Sequence, residues 1–174
     1  MAPKRTLAPP FVKAPAVAAA AAPAPDRERK TPDGLPVVEL KNRRGQLHPW
    51  IFRRMLRGTR EDLEPGTLVE ARDRQGRFAG RGVYNPNSEI ALRILSEDPK
   101  ALIGAAWVDA KIEEALRLRH DVLKLPKRTD AYRVVHSEGD GLSGLVVDRL
   151  GDVLVLEIHC AGMHRMLPWV QEAL

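Results

Sequence analysis

Short apolar runs, broken by turn residues, dominate residues 35–98. Leu35-Pro36-Val37-Val38-Glu39-Leu40 reads as a first strand, and the polar, basic stretch Lys41–Gln46 as a turn after it. In His48-Pro49-Trp50-Ile51-Phe52-Arg53-Arg54-Met55-Leu56, Pro49 biases His48 away from helix, and Trp50, Ile51 and Phe52 are expected to anchor a core. Glu64-Pro65-Gly66 is a turn. Thr67–Ala71 then alternates as a strand, and Asp73-Arg74-Gln75-Gly76 is a hairpin-type connection into Arg77–Tyr84. Asn85–Ser88 turns again before a last alternating run, Glu89–Leu95. Several short strands with Gly and Pro turns at close spacing predict a small barrel.

The pattern changes over residues 99–174. Val108, Ile112, Ala115, Leu116, Val122 and Leu123 recur near one face of a helix from Trp107 to Lys124, which Pro126 ends. Glu113 and Arg117 form an i,i+4 pair of the favoured order. Ala131–His136 reads as a strand, and Leu145–Asp148 with Val153–Ile158 as a hairpin. A second helix starts at Met166, and the pattern stops inside it, which predicts an incomplete domain in a truncated chain. The fold class predicted is α+β and β-rich, with a small β-barrel followed by a small strand–helix–strand unit.

Residues 1–34 differ from both units. They hold ten Ala and seven Pro, with too little branched or aromatic surface to offset the entropy of ordering. A disordered arm is the expectation. Lys4 and Arg5 give it a basic start, but its apolar stretch is Ala-only and broken by Pro, unlike an export signal. The division predicted is arm 1–34, barrel 35–98 and α+β unit 99–174.

Charge adds a candidate partner. The chain of 174 residues carries a net charge of +5. The excess lies in the first two-thirds, and residues 99–174 are nearly neutral. From Lys41 to Arg60 there are seven basic residues and no acid, with Trp50 and Phe52 interleaved. Arginine pairs bidentately with phosphate and stacks on bases, so this strip suits RNA or DNA. A solvated basic face beside a buried Trp and Phe is the plainer alternative. No apolar run is long enough to span a membrane.

Other motifs carry less chemistry. Gly139-Asp140-Gly141-Leu142-Ser143-Gly144 matches GxGxxG, but it runs into a β-branched strand rather than a helix, so glycine turn chemistry is the better reading. The single cysteine, Cys160, excludes an intrachain disulfide and fits a reducing compartment. It is expected to be a buried, inert thiol. The histidines form no metal-ligand spacing, so no metal site is predicted. His136, Glu138, Asp140 and Asp148 gather around a turn. They suit general acid–base work, though such residues more often cap turns.

Three blocks together resemble a family. They are His48-Pro49-Trp50-Ile51-Phe52, then Gly80–Arg93, then Tyr132–Arg149. Their order and spacing are similar to the N-terminal half of the class I SAM-dependent ribosomal RNA large-subunit methyltransferases, whose best-known members make 5-methylcytosine in 23S rRNA. The resemblance covers about residues 35–174, and Ser143 departs from the family's usual Pro. It implies a PUA domain, a small RNA-binding pseudo-barrel, followed by an α+β linking domain. The family's SAM-binding catalytic domain is missing from this chain, and Cys160 does not match the catalytic cysteine position. The resemblance therefore implies RNA binding, of 23S rRNA, by a cytoplasmic protein that is inactive alone, with no cofactor and no catalytic residue in this chain. The missing methyltransferase domain would be a partner. Arg43, Arg44, His48, Arg53, Arg54, Arg57 and Arg93 are the candidate RNA-binding residues. A stand-alone module that binds RNA or protein without methyltransferase activity is the alternative.

Overall fold

The computed structural model describes residues 30–42 and 48–174. Most of the predicted arm, including Lys4 and Arg5, lies outside them, as do Arg43 and Arg44. The first sheet contains β1 (Val37–Glu39), β2 (Trp50–Phe52), β3 (Thr67–Arg72), β4 (Phe78–Tyr84) and β5 (Ile90–Ser96) in the order β1-β3-β4-β5-β2. β1 runs parallel to β3, with Val37 opposite Glu70, and every other pairing in this sheet is antiparallel. Register irregularities at Ile51/Phe52, Ala71/Arg72 and Arg81/Gly82 add local twist and curl the sheet. Val38, Ile51, Val69, Tyr84 and Leu92 fill the concave side. The Tyr84 hydroxyl, inside this core, accepts the Arg60 backbone N–H at 2.9 Å.

The second sheet is β6 (Ala131–His136), β7 (Leu145–Leu150) and β8 (Val153–Ile158), an antiparallel meander. Helices α1 (Ala105–Arg117) and α2 (Ala161–Ala173) pack against it. Val108, Ile112 and Ala115 from α1 meet Val135, Leu145 and Val147 from the sheet and Met163, Met166 and Val170 from α2. The fold is thus α+β and β-rich, with a curled sheet beside a small sheet-and-helix unit.

The two sheets share a core. Val83 of β4 and Leu95 of β5 are buried in the cluster that holds α1, α2 and the second sheet. Gly162 lies where a Cβ would sit 2.4 Å from the Cβ of Val83, so α2 approaches β4 as closely as it does only because this position has no side chain. Glu64 and Arg165 form an ion pair at the edge of the same junction.

Several elements depart from the sequence pattern. The first helix ends at Arg117 and continues as a wider π-type turn, Leu118–Val122. That extra width brings Arg119 inward, where it is buried. The second helix starts at Ala161, five residues earlier than the apolar pattern shows. Its N-cap is Cys160, whose sulfur accepts the Met163 N–H. Residues 30–34, assigned to the arm by composition, make a turn in which Thr31 Oγ1 accepts the Leu35 N–H at 2.9 Å. Asp33 in that turn pairs with Arg81 at 2.8 Å.

Candidate nucleic-acid interface

β2 is an edge strand of the first sheet, and it carries the candidate face. Alternation puts Ile51 fully inside, while Trp50 and Phe52 are half-buried on the other side. The chain then enters the 3-10 turn Arg53–Met55, which places Arg54 and Met55 in solvent. The Arg54 guanidinium lies 5.6 Å from the Phe52 ring centroid, a cation–π distance. It makes no ion pair among the described residues. Exposed His48 packs edge-on against Trp50, with ring centroids 4.7 Å apart, and its Nδ1 accepts the Trp50 backbone N–H at 3.2 Å.

The other candidate arginines have partners within the protein. Arg53 donates from Nη2 to the Ser88 carbonyl at 3.3 Å, and its Nε lies 3.8 Å from the Glu89 carboxylate. Arg57 pairs with Glu39 at 3.1 Å. Arg93 donates from Nη1 to Glu138 at 3.1 Å and to Ser143 at 3.2 Å, and stacks 5.1 Å from the Trp50 ring centroid. Arg60, the last of the basic run, is buried. It donates to the Val37 carbonyl and pairs with Asp62. The structure therefore brings His48, Arg53 and Arg54 to one accessible edge and commits Arg57 and Arg93 to internal ion pairs.

Of the three residues expected to anchor a core, only Ile51 does; Trp50 and Phe52 are half-buried and outside both core clusters. The Trp50 indole N–H donates to Glu138 Oε1 at 2.7 Å, across to the second sheet. Glu138 belongs to the 3-10 turn Ser137–Asp140. Ser143 Oγ donates to the same oxygen at 2.7 Å. Burial would raise the Glu138 pKa, but hydrogen bonds from Ser137, Ser143 and Trp50 outweigh it and hold the carboxyl at about 2. Nothing in the local sequence links Trp50 to a residue 88 positions away.

The neighbouring carboxylates are acceptors too. Asp140 and Arg119 form a buried bidentate pair at 2.6 and 2.8 Å, and Asp140 also accepts the His136 N–H at 2.6 Å. Burial opposes the Asp140 charge, yet the Arg119 and His136 hydrogen bonds keep its pKa below the ordinary value. Asp148 is lowered by its hydrogen bonds from Arg133. This polar group thus ties a turn to the π-type turn after α1 and, through Glu138, to the first sheet. Carboxylates held ionised in this way are poor proton donors at neutral pH.

The Gly139–Gly144 loop joins the Ser137–Asp140 turn to β7, and Gly141 and Gly144 have φ of +75° and +90°. A strand follows the loop, not a helix, so the loop lacks the strand–loop–helix setting of a dinucleotide-type site. Cys160 is half-buried, with its sulfur 3.5 Å from the Ser143 carbonyl. Among the described residues no group of three His, Cys, Asp or Glu side chains is placed to hold a metal ion. No helix among them is long and apolar enough to cross a membrane.

Residues 38–97 match the PUA-like domain family. A ribosomal RNA large subunit methyltransferase from Deinococcus radiodurans is 37% identical over 137 residues, which is 75% of this chain and 33% of that protein. Ribosomal RNA large subunit methyltransferase I from Escherichia coli is 34% identical over 115 residues, 66% of this chain and 29% of that protein. The chain is a relative of the ribosomal RNA large-subunit methyltransferases. It spans about a third of the length of these curated relatives. A solved structure from Streptococcus mutans, described as a SAM-dependent methyltransferase, has the same fold over 79% of this chain and 36% of its own, with a TM-score of 0.63 at 14% identity. The resemblance carried by the three sequence blocks thus holds, and the curled sheet is the PUA-like part of it.

Proposed function

We propose that this chain is the RNA-binding region of a SAM-dependent methyltransferase acting on 23S rRNA, and that it positions the rRNA for a catalytic domain outside this chain. The observation that carries the reading is the PUA-like match at residues 38–97 in a relative of rRNA methyltransferases, whose edge strand β2 presents Arg54 to solvent beside Phe52. The contacts fall to phosphates, which fix register and orientation without reading sequence. Arg54, His48 and Arg53 form the described part of the face, and Arg43 and Arg44, outside the described residues, are assigned to it from the sequence alone. SAM belongs to the catalytic domain, and no methyl-transfer step is assigned to this chain. The cytoplasm, where ribosomes are made, is the compartment that follows.

The test is a titration of fluorescent 23S rRNA fragments at several salt concentrations. Affinity should fall steeply with salt, because each neutralised phosphate releases counterions. Absence of binding at low salt would overturn the reading in favour of a module that docks protein.

A further inference from the structure

The candidate face lies on the first sheet, but its geometry is set from the second. Trp50, Arg93 and Ser143 all donate to one oxygen of Glu138, and Arg93 stacks on Trp50 while bonding Ser143. Trp50 and Arg93 are directly opposed in the β2–β5 ladder. One carboxylate oxygen therefore holds both members of a cross-strand pair on the first sheet. It also joins them to the turn that leads into β7.

Besides this junction, β2 is held by Ile51 in the core of the first sheet and by backbone bonds at its flanks, from the Ile94 N–H to the Pro49 carbonyl and from the Arg53 N–H to the Glu89 carbonyl. It is three residues long, it is an edge strand, and its ladder with β5 is irregular between Ile51 and Phe52. Short edge strands with few ladder bonds open at low free-energy cost. Phe52 and the Arg53–Met55 turn follow Trp50 directly, so the hold on the indole at the start of this segment adds to the backbone bonds that anchor the turn, from the Arg53 N–H to the Glu89 carbonyl and from the Lys41 N–H to the Met55 carbonyl.

We infer that Glu138 is a positioning residue for RNA binding: from the second sheet it fixes Trp50 and Arg93, and through them the β2 edge and the turn that presents Arg54. This inference rests on the RNA-binding reading above. It assigns a role in RNA recognition to a residue that touches no RNA and lies outside the PUA-like match.

The test uses the full chain and the variants Glu138→Ala, Glu138→Gln, Arg54→Ala and the double variant Glu138→Ala/Arg54→Ala. Amide hydrogen exchange and affinity for a 23S rRNA fragment are read together. Glu138→Ala should speed exchange at Trp50–Phe52 by about tenfold while leaving β3 and β4 unchanged. It should also weaken RNA binding by about fivefold. Glu138→Gln keeps an acceptor for Trp50 and Ser143 and should restore most of both effects. In the Arg54→Ala background, Glu138→Ala should cost no further affinity, since its effect passes through that arginine.

Additive losses in the double variant, or faster exchange spread evenly over both sheets, would show a merely global role and overturn the inference. If the unmodified chain binds no RNA, the RNA-binding reading falls by itself. The exchange pattern then decides the structural half: fast exchange confined to β2 supports it, and unchanged β2 exchange overturns it.

Discussion

Arg54 and Arg57 are three residues apart in one basic run, yet the structure assigns them different work. Arg54 projects into solvent with only the Phe52 ring beneath it, whereas Arg57 faces Glu39, with the two side chains 19% and 16% exposed. Replacing Arg54 with Ala should remove one phosphate contact. The slope of log affinity against log salt should then flatten by about 0.7–0.9. Between 50 and 200 mM salt that change makes the drop in affinity about threefold smaller than for the unmodified chain. Arg57→Ala should leave the slope alone and lower stability by about 1 kcal/mol, through loss of a partly screened ion pair. The assay is fluorescence anisotropy with one structured rRNA fragment over that salt range, with thermal melts of each variant. A flattened slope for Arg57→Ala with none for Arg54→Ala would refute the assignment of exposed and committed arginines.

Gly162→Ala should destabilise the chain by about 3 kcal/mol, the upper end of overpacking costs, because the added methyl meets three carbons of a β-branched residue rather than a flexible tip. Melts should show a Tm lower by about 6–12 °C. Asp140→Ala should cost about 3–5 kcal/mol by leaving Arg119 buried without its partner, and an Arg119→Met/Asp140→Leu double variant should recover much of that loss in denaturant titrations. Glu138 is held below its ordinary pKa, so the stability it contributes is complete above about pH 4.5 and is lost as pH falls through about 2. With allowance for its partial exposure this is about 1–2 kcal/mol, and acid titrations of Glu138→Gln should lack that decline.

Local pattern made much of this fold legible. Thr67–Ala71 and Glu89–Leu95 are strands within a residue of the expected ends, and both faces of each are covered, with Val69 and Leu92 in the first core and Leu68 and Leu95 in the second. Val108, Ile112 and Ala115 mark the buried stripe of α1. The parallel β1–β3 pairing was not legible, since strand order depends on which segments meet across the chain rather than on any segment's own pattern. Arg119 was hidden because a charged side chain at a regular helical position reads as exposed, and only the π-type turn and Asp140 bring it inside.

The candidate face was half legible. The run of bases without acids from Lys41 to Arg60 marks the segment that holds β2 and the exposed Arg54. It could not reveal that Glu39, just before the run, takes Arg57, or that Glu138 takes Arg93. Trp50 follows the same logic: an aromatic in a short strand reads as core, and only a distant acceptor for its N–H places it at a junction.

The shared core has a consequence for how the chain responds to heat or cutting. Leu68, Val83 and Leu95 belong by sequence to the first unit but pack into the core of the second. Severing the chain near residue 98 would strip these side chains of their cover and leave the severed first unit with a sticky patch. The two sheets should therefore melt in one cooperative transition. A substitution in α2 that faces this core would then reach the assembly of the β2 edge through the shared stability of the whole.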